Sequence, residues 1–217
     1  RIKPDGTIVS PIDFIPVYEK SGLISRLDRY IWEQAAAKLG EWKKAGINMS
    51  ISVNISPKDF YYIDIFNTFA GLIKKYDIEP SNLKIEITET TIMSDVPNLM
   101  GELEELRKAG FTIEMDDFVS GYSSLNTLKD INVDVLKVDM GFIKETKNVK
   151  KSRIILASVI KMAKELNLLI ITEGVETEEQ VDNLTKLGCD VFQGYYFSKA
   201  IDVNEFEKRY LYRKKAG

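Results

Sequence analysis

Six polar positions recur near the C-terminal ends of apolar, β-rich runs: Asn54, Glu86, Asp116 (followed by Asp117), Lys137, Glu173 and Gln193. Successive spacings are 32, 30, 21, 36 and 20 residues, as expected when strand–helix units carry helices of different lengths. Carboxylates come from three of these runs and a lysine from another. Carboxylates gathered in one cup repel and raise each other's pKa unless a cation neutralises them. Asn54, Glu86, Asp116, Asp117 and Glu173 therefore read as hard-oxygen ligands, enough for two divalent ions. Two metals a few ångströms apart suit hydrolysis of a phosphodiester, because they generate hydroxide and steady the leaving oxygen. Lys137 would add charge at the phosphate or orient the attacking water. Each residue alone has a plainer reading. A strand-end Asn or Glu is commonly a turn residue, Asp116-Asp117 could close a strand, Lys137 could pair with Asp139, and Gln193-Gly194 could be a turn. The same acids and lysine would also suit metal-assisted proton abstraction beside a carboxylate. The phase of six positions on successive runs favours a site.

Composition narrows the chemistry. The 217 residues include no histidine and one cysteine, Cys189. No Ser-His-Asp or Cys-His pair can form within the chain, and neither can a zinc site built on His or several Cys. A metal must sit mainly on oxygen, which favours Mg²⁺, Mn²⁺ or Ca²⁺. With 30 basic and 33 acidic residues the net charge is −3, against a duplex nucleic-acid partner. A lone cysteine points to a reducing, cytoplasmic compartment. No uninterrupted apolar run approaches about 18 residues, so any membrane tether would lie in other segments.

The elements that must position these residues alternate. Ser10-Pro11 opens a helix that stops near Gly22, and a second runs from about Ser25 to Ala45. Predicted strands are Ile51–Ser56, Leu83–Glu89, Thr112–Phe118, Val133–Asp139, Leu169–Val175 and Val191–Phe197. Predicted helices are Phe60–Tyr76, Pro97–Ala109, Ser123–Asp130, Lys150–Leu166, Glu178–Leu187 and Val203–Tyr212. No linker interrupts them, so residues 1–217 read as one domain. In the first strands Ser52, Asn54 and Glu86 lie opposite Val53, Ile55 and Ile85. An open sheet covered on both faces would be apolar throughout. One polar face turned inward fits a barrel mouth, where such enzymes build their sites. Lys84 and Glu114, two residues before Glu86 and Asp116, read as a structural pair inside the barrel.

These residues lie in motifs that resemble the EAL domain of bacterial cyclic-di-GMP phosphodiesterases. The motifs are Ser10-Pro-Ile-Asp-Phe-Ile-Pro16, Glu19-Lys-Ser-Gly-Leu-Ile24, Val53-Asn-Ile-Ser56, Glu86-Ile-Thr-Glu89 and Asp116-Asp-Phe-Val-Ser-Gly-Tyr-Ser-Ser-Leu125. Leu136-Lys-Val-Asp139, Glu173-Gly-Val-Glu-Thr177 and Gln193-Gly-Tyr-Tyr-Phe-Ser198 complete the order. The resemblance implies an α/β fold, a TIM-like (β/α)8 barrel, that hydrolyses cyclic di-GMP to linear pGpG with two Mg²⁺ or Mn²⁺ ions. It implies that Asn54, Glu86, Asp116, Asp117 and Glu173 bind metal or organise water, with Lys137, Glu173 and Asp117 in catalysis. It further implies that Glu89 and Glu176 support the loop after Asp117, that Gln193 and Arg1 bind substrate, and that the chain forms a homodimer. A diguanylate cyclase or sensory domain, attached or as a partner, belongs to the same expectation.

The chain departs from the family pattern in two places. The Glu-Ala-Leu motif would fall just before Arg1, and its Glu is a metal ligand. A complete barrel has eight strands in about 250 residues, and six are countable here. The expectation is a barrel whose first two strands lie outside this sequence. Val119 stands where the family usually has glycine, and Ser120 keeps a hydroxyl. Both departures motivate a competing expectation: a catalytically inactive domain that binds cyclic di-GMP as a receptor or regulatory dimer module. Turnover by the intact protein favours the enzyme, whereas tight binding without turnover favours the receptor.

Overall fold

Local chemistry sets the helix ends. In α1 (Pro11–Ser21) a proline takes the first turn, where its missing N–H costs nothing, and Gly22 at φ 73° stops the helix. Ser10 holds the capping position in an extended conformation but makes no side-chain cap. Helix α2 (Ile24–Lys44) ends in two lysines, which complement its negative end. The computed structural model describes residues 4–7, 9–94, 96, 98–118, 128–141 and 149–212. The predicted helix at 123–130 therefore lies largely outside the described residues.

Two compact units divide the chain, and strand β3 (Ile113–Phe118) runs from one into the other. The first comprises Arg1–Glu114 and Asn126–Asn132. Within it β1 (Ile51–Asn54) pairs in parallel with β2 (Leu83–Thr88), setting Ser52 opposite Lys84 and Asn54 opposite Glu86. Ile85 N–H donates to Thr112 O at 2.9 Å, which carries the ladder to the start of β3. Ile85 and Ile87 are fully buried while Glu86 and Thr88 are half-buried on the other face, as the alternation predicts. Helices α3 (Asp59–Tyr62), α4 (Ile65–Tyr76), α5 (Glu89–Ile92) and α6 (Leu99–Lys108) complete this unit. Its core includes an aromatic chain: Trp32 to Phe69 with centroids 4.9 Å apart, and Phe69 to Phe111 edge-on at 5.7 Å.

The inner pair expected from the sequence is present. Lys84 Nζ meets Glu114 Oε1 at 3.0 Å, and Ser52 Oγ donates to Glu114 Oε2 at 2.9 Å. Glu114 is buried, with only 1% of its side chain exposed, whereas Lys84 keeps 22%. Glu114→Ala should lower unfolding free energy by about 3 kcal/mol, the low end for breaking a buried pair, because Lys84 retains some water. Urea denaturation checks this. Glu114→Gln, which can still accept from Ser52, should cost less.

The second unit comprises Met115–Leu125 and Val133–Gly217. Strands β4 (Val135–Asp139), β5 (Leu169–Glu173) and β6 (Val191–Phe192) follow one another in parallel, with Asp139 opposite Glu173 and Ile171 opposite Val191. Helices α7 (Val149–Glu165), α8 (Glu178–Lys186) and α9 (Val203–Phe206) accompany them. Leu136, Val138, Ile160, Ala163 and Ile170 are buried here. Helix α8 opens with a reciprocal cap between Thr177 and Gln180.

Several boundaries differ from expectation. The stretch predicted as one helix over Phe60–Tyr76 breaks at Ile63, which is extended, and Asp64 caps α4 by accepting from Asn67 N at 3.0 Å. Thr88 caps α5 by accepting from Thr91 N at 3.2 Å, so Glu89 starts a helix instead of ending a strand. The last predicted strand shortens to two residues because Gly194–Phe197 turns back on itself, Phe197 N donating to Gly194 O at 3.1 Å. After Phe206 the expected helix continues as a π-helical turn over Glu207–Leu211. Among the described residues, no helix is long and apolar enough to cross a membrane.

Candidate active site

Strand β4 places Lys137 on the face that alternation assigns also to Asp139. Lys137 Nζ lies 2.9 Å from Glu173 Oε1 at the end of β5 and 3.6 Å from Asp116 Oδ1 on β3. Its side chain is 5% exposed, against 18% for Glu173 and 19% for Asp116. The ammonium is thus the buried member of a triad whose acids reach towards solvent. Burial pushes the Glu173 carboxyl up, Lys137 pulls it back, and Asp116 and Asp139 push it up again, with a net rise. Asp117 also rises, through burial and then the charges of Asp116 and Asp139, with Lys137 opposing.

Asp117 adopts φ 56°, a left-handed conformation that few non-glycine residues take. Its N–H donates to Asp116 Oδ1 at 2.9 Å, so the first aspartate steadies the strained backbone of the second. Asp139 joins these acids, beyond the residues expected from the sequence. Its Oδ1 accepts from Gly141 N at 2.8 Å, and it lies close enough to raise both Asp117 and Glu173. The signal was its position two residues after Lys137 on one strand face.

Beyond β5 the backbone turns through Gly174 at φ 70°, which brings that residue against Asp139. Glu176 is exposed, and its N–H donates to Gln180 Oε1 at 2.7 Å. Gln193 is exposed just after β6, its backbone joined to Thr172 and Val175. Gly194 is required by proximity: a Cβ there would sit 2.1 Å from Val175 O and 2.4 Å from Val175 N. Gly194→Ala must push away the turn that follows Glu173. The expected loss is about 3 kcal/mol or more, at or beyond the usual cost of overpacking, measured by denaturant unfolding.

The first unit carries the remaining candidates. Asn54 ends β1 exposed, and the half-buried Glu86 is its β2 partner. Trp32 Nε1 donates to Asn54 O at 2.9 Å, and Ile55 N donates to Glu86 O at 3.0 Å. Glu89 is buried at the start of α5. Arg1 and Val119 lie outside the described residues. Among the described residues, no three Asp, Glu, His or Cys side chains converge closely enough to hold a metal ion in this arrangement. In the second unit the positive charge between Asp116 and Glu173 is Lys137. The donor chemistry nonetheless suits a hard cation: carboxyl oxygens lifted at Glu173 and Asp117 by burial and then by the charges of Asp116 and Asp139.

A profile described as the EAL domain matches residues 1–200. The bifunctional diguanylate cyclase/cyclic di-GMP phosphodiesterase MucR of Pseudomonas aeruginosa is 34% identical over 203 residues, 93% of this chain and 30% of that protein. The chain thus spans less than a third of that relative's length. The structure of a PaMucR phosphodiesterase in complex with c-di-GMP is similar at a TM-score of 0.86 and 33% identity, covering 94% of this chain and 83% of that one. A manganese/cyclic-di-GMP complex of Klebsiella pneumoniae BlrP1 is similar at a TM-score of 0.71 and 28% identity, covering 81% of this chain and 44% of that one. The fold class is accordingly α/β, that of the TIM-like barrels.

Proposed function

We propose, from the premise that the chain belongs to the EAL domain family, that it is a metal-dependent phosphodiesterase opening cyclic di-GMP to linear pGpG. The observation that carries this is the buried Lys137 held between Asp116 and Glu173, with Asp117 and Asp139 beside them. A lysine buried by acids at strand ends is costly to keep for stability alone, and it supplies fixed positive charge where phosphate charge develops. Glu173, its carboxyl raised by burial against the pull of Lys137 at 2.9 Å, is the acid proposed to take a proton from an attacking water.

Asn54, Glu86, Asp116, Asp117 and Glu173 are the proposed ligands of Mg²⁺ or Mn²⁺. Bound there, such ions would supply a water of lowered pKa and charge to balance the phosphate. Their binding would reorganise the acid side chains now committed to Lys137. Gln193 and Arg1 are the proposed substrate contacts, and Glu89 and Glu176 the proposed supports of the loop beyond β3. A homodimer and an attached or partner cyclase or sensory domain fit the same reading, as does a cytoplasmic location.

A second reading is a receptor that binds cyclic di-GMP without cleaving it. Val119, in place of the family's usual glycine, points that way. Titration calorimetry with cyclic di-GMP, followed by product analysis in Mn²⁺, separates the two. Binding followed by pGpG supports the enzyme. Binding with intact nucleotide supports the receptor.

A further inference from the structure

Asp59 is fully buried at the start of α3, five residues beyond Asn54. Its Oδ2 accepts from Ser56 N at 2.8 Å, but its Oδ1 has no hydrogen-bond partner of sound geometry. Ser25 Oγ, also buried and without such a partner, lies near this carboxylate but not in bonding geometry. A sealed carboxylate oxygen with no donor has lost its water without replacement, so an unseen donor is the economical explanation. Besides the Ser25 hydroxyl, the neighbour able to provide one is Asp28 on α2, whose carboxyl faces Asp59.

We propose that Asp28 and Asp59 share one proton, carried by Asp28 and donated to Asp59, and that this bond ties α2 to the turn after β1 and so positions the strand end presenting Asn54. The proton falls to Asp28 because Asp59 already accepts from Ser56, whereas Asp28 faces Asp59 and, from α1, Glu19. Lys58, next to Asp59, gives its ammonium to the Glu19 carbonyl. Burial first, then the charge and hydrogen bond of Asp59, push the Asp28 carboxyl up to about 8. Burial also raises Asp59, while Ser25, Ser56 and Asp28 oppose that rise.

Two links lead from the pair to Asn54. Asp59 holds Ser56 N, two residues after Asn54, and Trp32, one helical turn beyond Asp28, holds Asn54 O. Asp28, Asn54 and Ser56 also line one cavity of about 850 Å³ in the first unit, with Phe14, Tyr18 and Thr91. Deprotonation of Asp28 would set two carboxylates against each other and release α2 from the turn. The proton sharing stands by itself. Its bearing on turnover rests on the proposed role of Asn54.

The sign of the pH effect follows from linkage. The folded protein holds a proton that the unfolded chain has released above the ordinary value of 3.8. The stability from this group is therefore complete below 3.8, falls as pH rises to about 8, and is level beyond. The test is carboxyl-carbon NMR of the protein from pH 4 to 9, with the Trp32 indole and Ser56 amide signals followed in the same samples. Asp28 should titrate near 8, and both reporters should move with it. In Asp28→Asn, whose amide donates permanently, the reporters should stay still and the fall of the unfolding midpoint with pH should flatten. Titration of Asp28 near 4, or an unchanged reporter response in Asp28→Asn, overturns the proposal. If the variant does not fold, the wild-type titration alone decides. A protein that shows the titration but never cleaves cyclic di-GMP refutes the phosphodiesterase reading and leaves the shared proton intact.

Discussion

Lys137→Met is expected to lower the turnover number for cyclic di-GMP by about 10²- to 10³-fold, the loss seen when one fixed charge-stabilising group is removed from an active site. Methionine keeps the length and apolar stem of the lysine, so the strand loses a charge and little packing. Two consequences follow from the 2.9 and 3.6 Å contacts. The positive charge facing the phosphate disappears, and Glu173 loses the interaction that opposes its burial. Glu173 should then hold its proton to higher pH and serve poorly as a base. Both effects act on the chemical step, so kcat should fall while KM changes little. Lys137→Arg should not rescue it, because a planar guanidinium does not fit a position built for a compact ammonium. Steady-state kinetics with folded protein, verified by circular dichroism, decide the matter. Unchanged kcat in Lys137→Met removes the lysine from catalysis.

Asp116 should be as sensitive, and a pair of variants can divide its two roles. As a charged group it faces Lys137, and through Oδ1 it holds Asp117 N and thus the left-handed backbone at φ 56°. Asp116→Asn keeps an oxygen that can accept from Asp117 but removes the charge. Asp116→Ala removes both, leaving a strained residue without its clamp. Both should lose more than about 10²-fold in turnover, beyond the 10- to 100-fold typical of residues that only support a metal site. Only Asp116→Ala should also shift the Asp117 backbone, read from the Asp117 amide signal. Full activity in Asp116→Ala would remove this residue from the site altogether.

Much of this arrangement is written in alternation. Strand residues two apart share a face, so Ser52 and Asn54, Lys84 and Glu86, and Glu114 and Asp116 could be placed in layers from the sequence. The Lys84–Glu114 pair follows from that register. What escaped notice depends on contacts between segments far apart in the chain. Gly194 read as a turn residue, and only the fold reveals the Val175 backbone within reach of its missing Cβ. Asp28 and Asp59 lie 31 positions apart on helices of unrelated phase, and no periodicity connects them. The break between α3 and α4 was hidden because apolar residues continue through Ile63 and Ile65, masking the capping signal of Asp64. Asp139 was legible by position but not by role, since its neighbours Asp117 and Glu173 belong to other strands.

On the proposed function, the acids and lysine at these strand ends open a phosphodiester with water. The protein incubated with cyclic di-GMP and Mn²⁺ in H₂¹⁸O tests it most directly, with mass analysis of the nucleotide. The expected result is linear pGpG as first product, with one ¹⁸O in its terminal phosphate and none elsewhere. Cyclic di-GMP recovered intact from folded, nucleotide-binding protein rules out phosphodiester hydrolysis by this site.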